Sequence, residues 1–429
     1  MGRPKKQVSS GSHKLATIGG TADIITDNDQ LWAIVLRNFQ QACKTYGFSK
    51  IEMPLLEDRE LYRLYYSDAP EHMGKVVPVT IAEREWALRE NFLPSLLRTY
   101  AQKKLFEVAP FHKWMTSGQV VRLGDKGSLV AEQVFNFEVL GTFNHLTEAQ
   151  VIGAVWQMLA SLGLSEKVVL EINHIGNSES QAVFEGVLAD YLANKKFDLC
   201  DSCTELVRTR PLAVMRCNNV ECQTIIADAP TILDFLDQNS HKHFTNILEA
   251  LDELGVPYQL NPLYAGTEGT SRTALVIKYK QHDHMVVLAE AGYHDILMER
   301  VSGKNFCAFG LQGSLTKIHE AMQKVEGDIV YELRNEVFLV PLGELAARKS
   351  LRLFQDLTRA QVTVYDNFGT QGVKDQLKAA QTSKSPIALI MGQKEALDEM
   401  VILRDVKSGM QEVFSYDKIV DEVKKRLGR

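Results

Sequence analysis

Apolar positions change period several times along this chain, and each change marks an element. Between Asp27 and Phe48 they recur every three or four residues, at Leu31, Val35, Phe39, Ala42 and Tyr46. That spacing predicts a helix, with Asp27 or Asp29 able to cap its start and Gly47 ending it. "SKIEMPLLE" then reads as a strand entering a loop, with Pro54 ending the pairing. A helix "LPSLLRTYAQKK", a strand "LFEVAPFHKW", a polar loop from Met115 to Lys126 and a strand "QVFNFEVLG" follow, so two apolar strands flank a long loop as an antiparallel pair. Residues 146–163 predict an amphipathic helix, and "KVVLEINH" a strand. From 178 to 258 no strand pattern appears, and the segment reads as a helical insertion. Strands return with "SRTALVIKY" and "HMVVLAEAG", and "FCAFGLQGSLTKIHEAM" runs from a strand into a helix.

Past 326–332 the style becomes a regular alternation. Strands "EVFLVPL", "QVTVYD", "PIALIMG" and "VILRDV" are separated by helical segments at 344–360, 370–382 and "KEALDEM", with a last helix at the end. Such alternation predicts a small, separately packed parallel or mixed sheet. The expected organisation is a flexible basic tail over 1–17, an α+β domain over 18–328 containing the insertion 178–258, and an α/β domain over 329–429.

Composition narrows the class. The chain has 429 residues, 45% of them apolar and 24% charged, which suits two or three globular domains without disulfides. A net charge of −6 excludes a chain that is basic throughout, so any nucleic-acid contact must come from local patches. No run of eighteen apolar residues is present, and the basic start "MGRPKKQVSSGSHK" lacks the apolar core of a leader. The expectation is a cytoplasmic protein with reduced cysteines. "GRPKK" has two readings, a phosphate contact or a solvated tail.

Four of the six cysteines, Cys200, Cys203, Cys217 and Cys222, lie within 23 positions as C-x2-C and C-x4-C. Four thiolates at this spacing suit a tetrahedral zinc, and a closed four-sulfur site leaves no open position for substrate. The expectation is a structural staple for the insertion; four reduced, metal-free cysteines is the alternative. Cys43 and Cys307 sit in apolar patterns and read as core. "HDH" at 282–284 offers metal-type residues without a third ligand nearby, and reads either as a turn or as a weak metal pair.

In order and in motifs the chain resembles a class II aminoacyl-tRNA synthetase, and closely the histidyl-tRNA synthetase family. "GGTADI" (19–24) is similar to the family's opening signature, and "YGFSKIEMPLLEDRELY" (46–62) to motif 1. "EQVFNFEVLG" (132–141) is similar to the end of motif 2, and "LEINHIGN" (170–177) to the Leu-x-x-Asn-x-x-Gly element. "MRCNNVECQTIIADAPTILDF", "HF" and "LGVPYQLNP" resemble the insertion domain; "VFLVPLGE" and "LIMGQKE" resemble the anticodon-binding domain. The resemblance implies a homodimer built on motif 1, an antiparallel sheet flanked by helices, and adenylation of histidine with ATP and Mg²⁺ before transfer to tRNA.

Residue by residue, the match departs from that chemistry. The motif 2 arginine falls at Lys113 and the acid two places on at Met115; the motif 2 glutamine falls at Val134. The Gly-Leu-Glu-Arg of motif 3 becomes "GLQGSL", with Gln312 for the glutamate and Gly313 for the arginine. The signature Arg-Gly-Leu-Asp-Tyr-Tyr aligns with "AGTEGT", placing Ala265 at its arginine and Gly269 and Thr270 at its tyrosines. In "AGYHDI" an arginine becomes Tyr293 and Asp295 stays; in "LRENFL" Arg89 stays and the glutamate becomes Asn91. Arg89, Lys113, Glu138 and Asp295 thus form the expected remnant of a ligand pocket. Glu138 reads equally as a sheet residue, and Asp295 as a turn cap. Three arginines that would face phosphate are missing, and each preorganised charge is worth a few kcal/mol in the transition state. Arg122, in the motif 2 loop, is the one candidate to reach back, and is also read as a possible RNA contact. Lys374, Lys378 and Lys384 read either as RNA contacts or as a solvated face. Three functions follow: a non-catalytic, dimeric tRNA- or protein-binding paralogue; an active histidine–tRNA ligase with an unusual site; and, less similar, a regulatory partner of ATP phosphoribosyltransferase.

Overall fold

The computed structural model describes residues 17–24, 30–124, 127–267, 269–281, 284–324, 336–366, 373–383 and 385–429. The expected tail falls almost wholly outside these residues, as do His282, Asp283 and Lys384. The chain divides into two compact units, residues 1–327 and 328–429.

The first unit is built on an eight-stranded sheet. Its spatial order is Ser49–Lys50, Phe111–Leu123, Leu129–Gly141, Cys307–Ser314, His284–Tyr293, Ser271–Gln281, Val168–His174, Gln259–Leu260. Every pairing is antiparallel except the two at the edges, Ser49–Lys50 on Phe111–Leu123 and Gln259–Leu260 on Val168–His174. Alternation splits the sheet into two faces. Phe135, Phe137 and Val139 point to one face, where the rings of Phe39 and Phe48 meet Phe137 at 5.6 and 4.7 Å. Helices Gln30–Thr45, His145–Ser161 and Leu315–Gln323 cover that side. On the other face Trp114 and Leu140 pack with Leu93, Leu97, Leu297 and Met298 of helices Leu93–Gln102 and Asp295–Ser302.

The segment 115–126, expected as a polar loop, belongs largely to a strand. It pairs residue for residue from Phe111↔Gly141 to Leu123↔Leu129. Its polar residues fall on both faces, Thr116 and Arg122 on one and Ser117 and Gln119 on the other, so apolar alternation fails there although the ladder continues. The strand expected at "LFEVAPFHKW" begins late, because Leu105–Glu107 is a 3-10 turn. A three-stranded ribbon of Leu56–Asp58, Arg84–Leu88 and Pro78–Ile81 was not anticipated. Its hairpin turns at Ala82 and Glu83, both left-handed at φ 47° and 63°, positions sequence patterns do not flag without glycine or asparagine.

Residues 178–258 carry helices and no strand, including Ser178–Asn194, Val220–Ala227 and Gln238–Glu253. Phe184, Leu188, Leu192, Val214 and Ile226 form their core around Cys203 and Cys222.

The second unit is a five-stranded sheet ordered Val364–Asp366, Val337–Pro341, Ile387–Met391, Met400–Asp405, Gln411–Ser415. The first three strands are mutually parallel, Met400–Asp405 runs antiparallel to Ile387–Met391, and Gln411–Ser415 antiparallel to Met400–Asp405. Val337 and Leu339 face Leu353, Leu357, Ile419 and Val423, whereas Phe338 and Val340 face Ala380. Coverage on both faces explains the continuous apolar runs of these strands.

Candidate functional site

One row of side chains crosses the centre of the larger sheet: Thr116, Asn136, Gln312, Glu290, Val276 and Glu171, paired strand to strand. Above it opens a cavity of about 240 Å³ lined by Tyr66, Glu90, Arg122, Glu132, Asn136, Glu290, Gln312 and Lys317, among others. A second cavity of about 700 Å³, under the insertion, shares His72, Thr267, Val287 and Glu290 with the first.

Most of the charges in the first cavity are mutually engaged; Lys317 forms no ion pair among the described residues. Arg122 Nη2 donates to Glu132 at 2.6 Å and its Nε lies 3.9 Å from Glu90. Glu90 also accepts from the Tyr66 hydroxyl at 2.6 Å and from Asn91 Nδ2 at 2.7 Å. Glu290 accepts from the Tyr264 hydroxyl at 3.1 Å. Burial raises the Glu290 carboxyl above the usual range, with Lys317, Arg216 and Lys278 acting the other way. Three carboxyl groups thus face two cations, Arg122 and Lys317, in this cavity.

None of the four expected pocket residues lines it. Arg89 is a strut: Nη1 donates to the carbonyls of Met53 and Pro54 at 3.0 and 3.1 Å, Nη2 to that of Gln119 at 3.0 Å, and the guanidinium stacks 4.2 Å from the Phe92 ring centre. Lys113 lies on the far face, where Nζ donates to the Tyr46 carbonyl at 2.6 Å and sits 4.7 Å over Phe48. The register explains this: Trp114 pairs with Glu138, so Trp114 and Thr116, not Lys113 and Met115, face the cavity side. Asp295 pairs with Arg272 at 2.9 Å and accepts from the Ala308 amide at 2.8 Å. Tyr293, which stands where the family's element has an arginine, is also on the far face and donates its hydroxyl to the buried Glu148.

Glu138 is fully buried, beside Tyr65, and neither carboxylate oxygen has a hydrogen-bond partner. Burial pushes its carboxyl far above the ordinary range, with Asn136 acting the other way, so the neutral form is favoured. Gly310 opposite leaves room for it, since a Cβ there would lie 1.9 Å from Glu138 Oε2.

Several cavity residues were missed in the sequence. Asn91 is where a glutamate was expected, yet Glu90 beside it brings a carboxylate to the cavity. Glu132 and Asn136 share parity with Glu138 on one strand, a signal that register alone reveals. Arg216, from the insertion, reaches the second cavity, donating through Nε to Gly266 O at 2.7 Å and through Nη2 to Ala265 O and Thr267 O, both at 3.1 Å.

The four insertion cysteines converge. All four Sγ atoms lie within 4.8 Å of one another, with Cys200 and Cys217 at 3.9 Å. A tetrahedral zinc with bonds of about 2.3 Å needs sulfurs about 3.8 Å apart. Backbone N–H groups of Cys200 and Asn219 point at the sulfurs of Cys222 and Cys217, at 3.2 and 3.4 Å, as donors to thiolates would. Cys43 is buried as expected, and Cys307 is partly buried beside Arg272. In the second unit Lys374 and Lys378 are exposed on helix Val373–Thr382, and Lys378 borders an open groove with Tyr365, Asp366 and Asp375.

An antiparallel sheet with helices on both faces, a central cavity, a helical insertion and a separate α/β unit define the class II aminoacyl-tRNA synthetase architecture. Residues 20–195 match the family model described as histidyl-tRNA synthetase, and residues 336–426 the one described as anticodon binding domain. The chain belongs to the histidyl-tRNA synthetase family. Histidine–tRNA ligase of Desulfotalea psychrophila is 26% identical over 408 residues, 94% of each chain. The enzyme of that name from Desulfosudis oleivorans is 28% identical over 406 residues, 93% of this chain and 95% of the relative. Apo histidyl-tRNA synthetase of S. aureus has the same fold, with TM-score 0.77, 20% identity, and 96% and 100% of the two chains covered. A protein from Bacillus halodurans C titled ATP phosphoribosyltransferase regulatory subunit/histidyl-tRNA synthetase aligns with TM-score 0.61 and 14% identity over 88% of this chain and 98% of that one. No helix among the described residues is long and apolar enough to cross a membrane.

Proposed function

We propose that this chain is a histidyl-tRNA synthetase-like protein that has lost histidine adenylation and works as a dimeric tRNA- or protein-binding paralogue. The observation that carries this reading is the charge of the central cavity. Adenylation concentrates negative charge on ATP's phosphates, and it needs preorganised cations whose charge is not already neutralised. Here Arg122 is held by Glu132 and Glu90, and Lys113, Arg89 and Arg272 are engaged elsewhere, which leaves Lys317 as the one cavity cation outside an ion pair among the described residues, against three carboxyl groups. The three carboxyl groups suit Mg²⁺, but one unpaired lysine is a poor match to the charge of a triphosphate, so no step is assigned to ATP.

Position 313 supports the same reading. A Cβ on Gly313 would lie 2.5 Å from the Phe135 ring and 2.9 Å from the Leu288 carbonyl, so no arginine fits there without displacing the core. The four thiolates do fit zinc, which would hold the insertion's two loops as a closed, non-catalytic site. A reducing compartment such as the cytoplasm keeps such thiols available.

The second reading, an active ligase, is favoured by the relatives, which carry the name histidine–tRNA ligase across 94% of their length. Histidine-dependent ATP–pyrophosphate exchange separates the two. We expect none above background; turnover on the order of 1 s⁻¹ would establish the second reading.

A further inference from the structure

Resting on the zinc reading, we propose that the metal site and the larger cavity form one mechanical unit, with Arg216 as the positioning residue that couples them. The chain between Cys203 and Cys217 is the loop a metal would close. That loop supplies Arg210, Ala213, Met215 and Arg216 to the cavity wall. The staple therefore brackets the wall directly.

Arg216 is the residue immediately before the ligand Cys217. Its guanidinium grips three successive carbonyls, Ala265, Gly266 and Thr267, at 3.1, 2.7 and 3.1 Å. Thr267 borders both cavities, so whatever fixes it shapes the partition between them. The apolar core is continuous as well: Cys203, Val214, Met215 and Cys222 pack in one cluster with Ala265 and Ala274. Only a planar fork spans three neighbouring acceptors; a lysine is a point donor. Metal binding fixes the sulfur of Cys217, which fixes the Arg216 backbone, which holds residues 265–267. Loss of metal frees the two cysteine loops, and the grip on the wall goes with them. This is also the segment in which the resemblance places Ala265 where the family has an arginine. Arg216 brings a guanidinium to that segment's backbone from the insertion side.

Hydrogen exchange on the full chain tests the coupling, with zinc content measured on each sample. Peptides spanning 261–271 report the amides of Tyr264 and Thr270, which donate to Asn261 O and Thr267 O, both wall contacts. Stripping zinc with a chelator should speed their exchange about tenfold or more, while strand Val168–His174 stays protected. Arg216→Ala should do the same with zinc retained, Arg216→Lys should fall between, and chelating the Ala variant should add little. Additive effects, or an unchanged wall after either zinc removal or Arg216→Lys, overturn the coupling while leaving zinc in place. Protein that carries and takes up no zinc overturns the zinc reading itself and the coupling with it, an outcome the metal measurement identifies separately. Should Arg216→Ala fail to fold, chelation and Arg216→Lys still decide.

Discussion

Glu138 is a carboxyl group with no partner in good hydrogen-bond geometry and only Asn136 nearby to offset its burial, between strands that leave it room because residue 310 is glycine. Its folded pKa is raised by burial, whereas in the unfolded chain it titrates near the ordinary value of about 4.3. Between those two values the folded state binds the extra proton, so stability falls as pH rises through that window and levels off above the folded pKa. Glu138→Gln removes the charge. The variant and the parent should be similarly stable near pH 4, and the variant should gain with rising pH at up to about 1.4 kcal/mol per pH unit. Denaturant melts of both proteins across pH 4–9 check this; parallel curves would mean that the carboxyl ionises normally. At position 313 the opposite steric situation holds. Gly313→Arg should not create adenylation activity and should destabilise by about 2 kcal/mol or more, because its Cβ meets Phe135 and a backbone carbonyl. An active, equally stable variant would show that the strand can yield.

Helix Val373–Thr382 contributes Ala380 to the core and leaves Lys374 and Lys378 to solvent. If these lysines touch RNA phosphates, each contact releases counterions, and binding weakens with salt. Lys374→Ala with Lys378→Ala should then flatten the slope of log affinity for tRNA against log salt by about 1.5. An unchanged slope assigns both lysines to the solvated face. Asp366 and Asp375 beside Lys378 temper the local field, so the contact would be modest.

The assembled chain should be a dimer if motif 1 works here as in the resembled family. Light scattering at micromolar concentration should give about twice the chain mass of 48.2 kDa. A 48.2 kDa monomer at that concentration contradicts the expectation. At this scale the sequence was legible in outline. The alternating period, the strandless insertion and the switch to β-α-β after residue 327 all follow from where apolar side chains must be buried.

Residue-level placement was far less legible, and the reason is geometric. A strand's period of two means that an error of one residue in register sends a side chain to the opposite face. The gapped match to motif 2 put Lys113 at the phosphate, and the actual pairing of Trp114 with Glu138 moved it to the far side. Arg89 and Asp295 kept the expected residue types, yet nearby carbonyls, an amide and Arg272 claimed their charges. The cysteines differ: two short spacings set each pair locally, and the fold brings the four sulfurs within 4.8 Å of one another, which supports the proposed zinc. What the sequence determined by itself was therefore most of the long elements and the spacing of local clusters, because both depend on neighbours along the chain. What the tertiary structure alone decided was which charges face the cavity and which are already paired, because that depends on register and on partners up to 235 positions away, as Arg300 and Tyr65 illustrate.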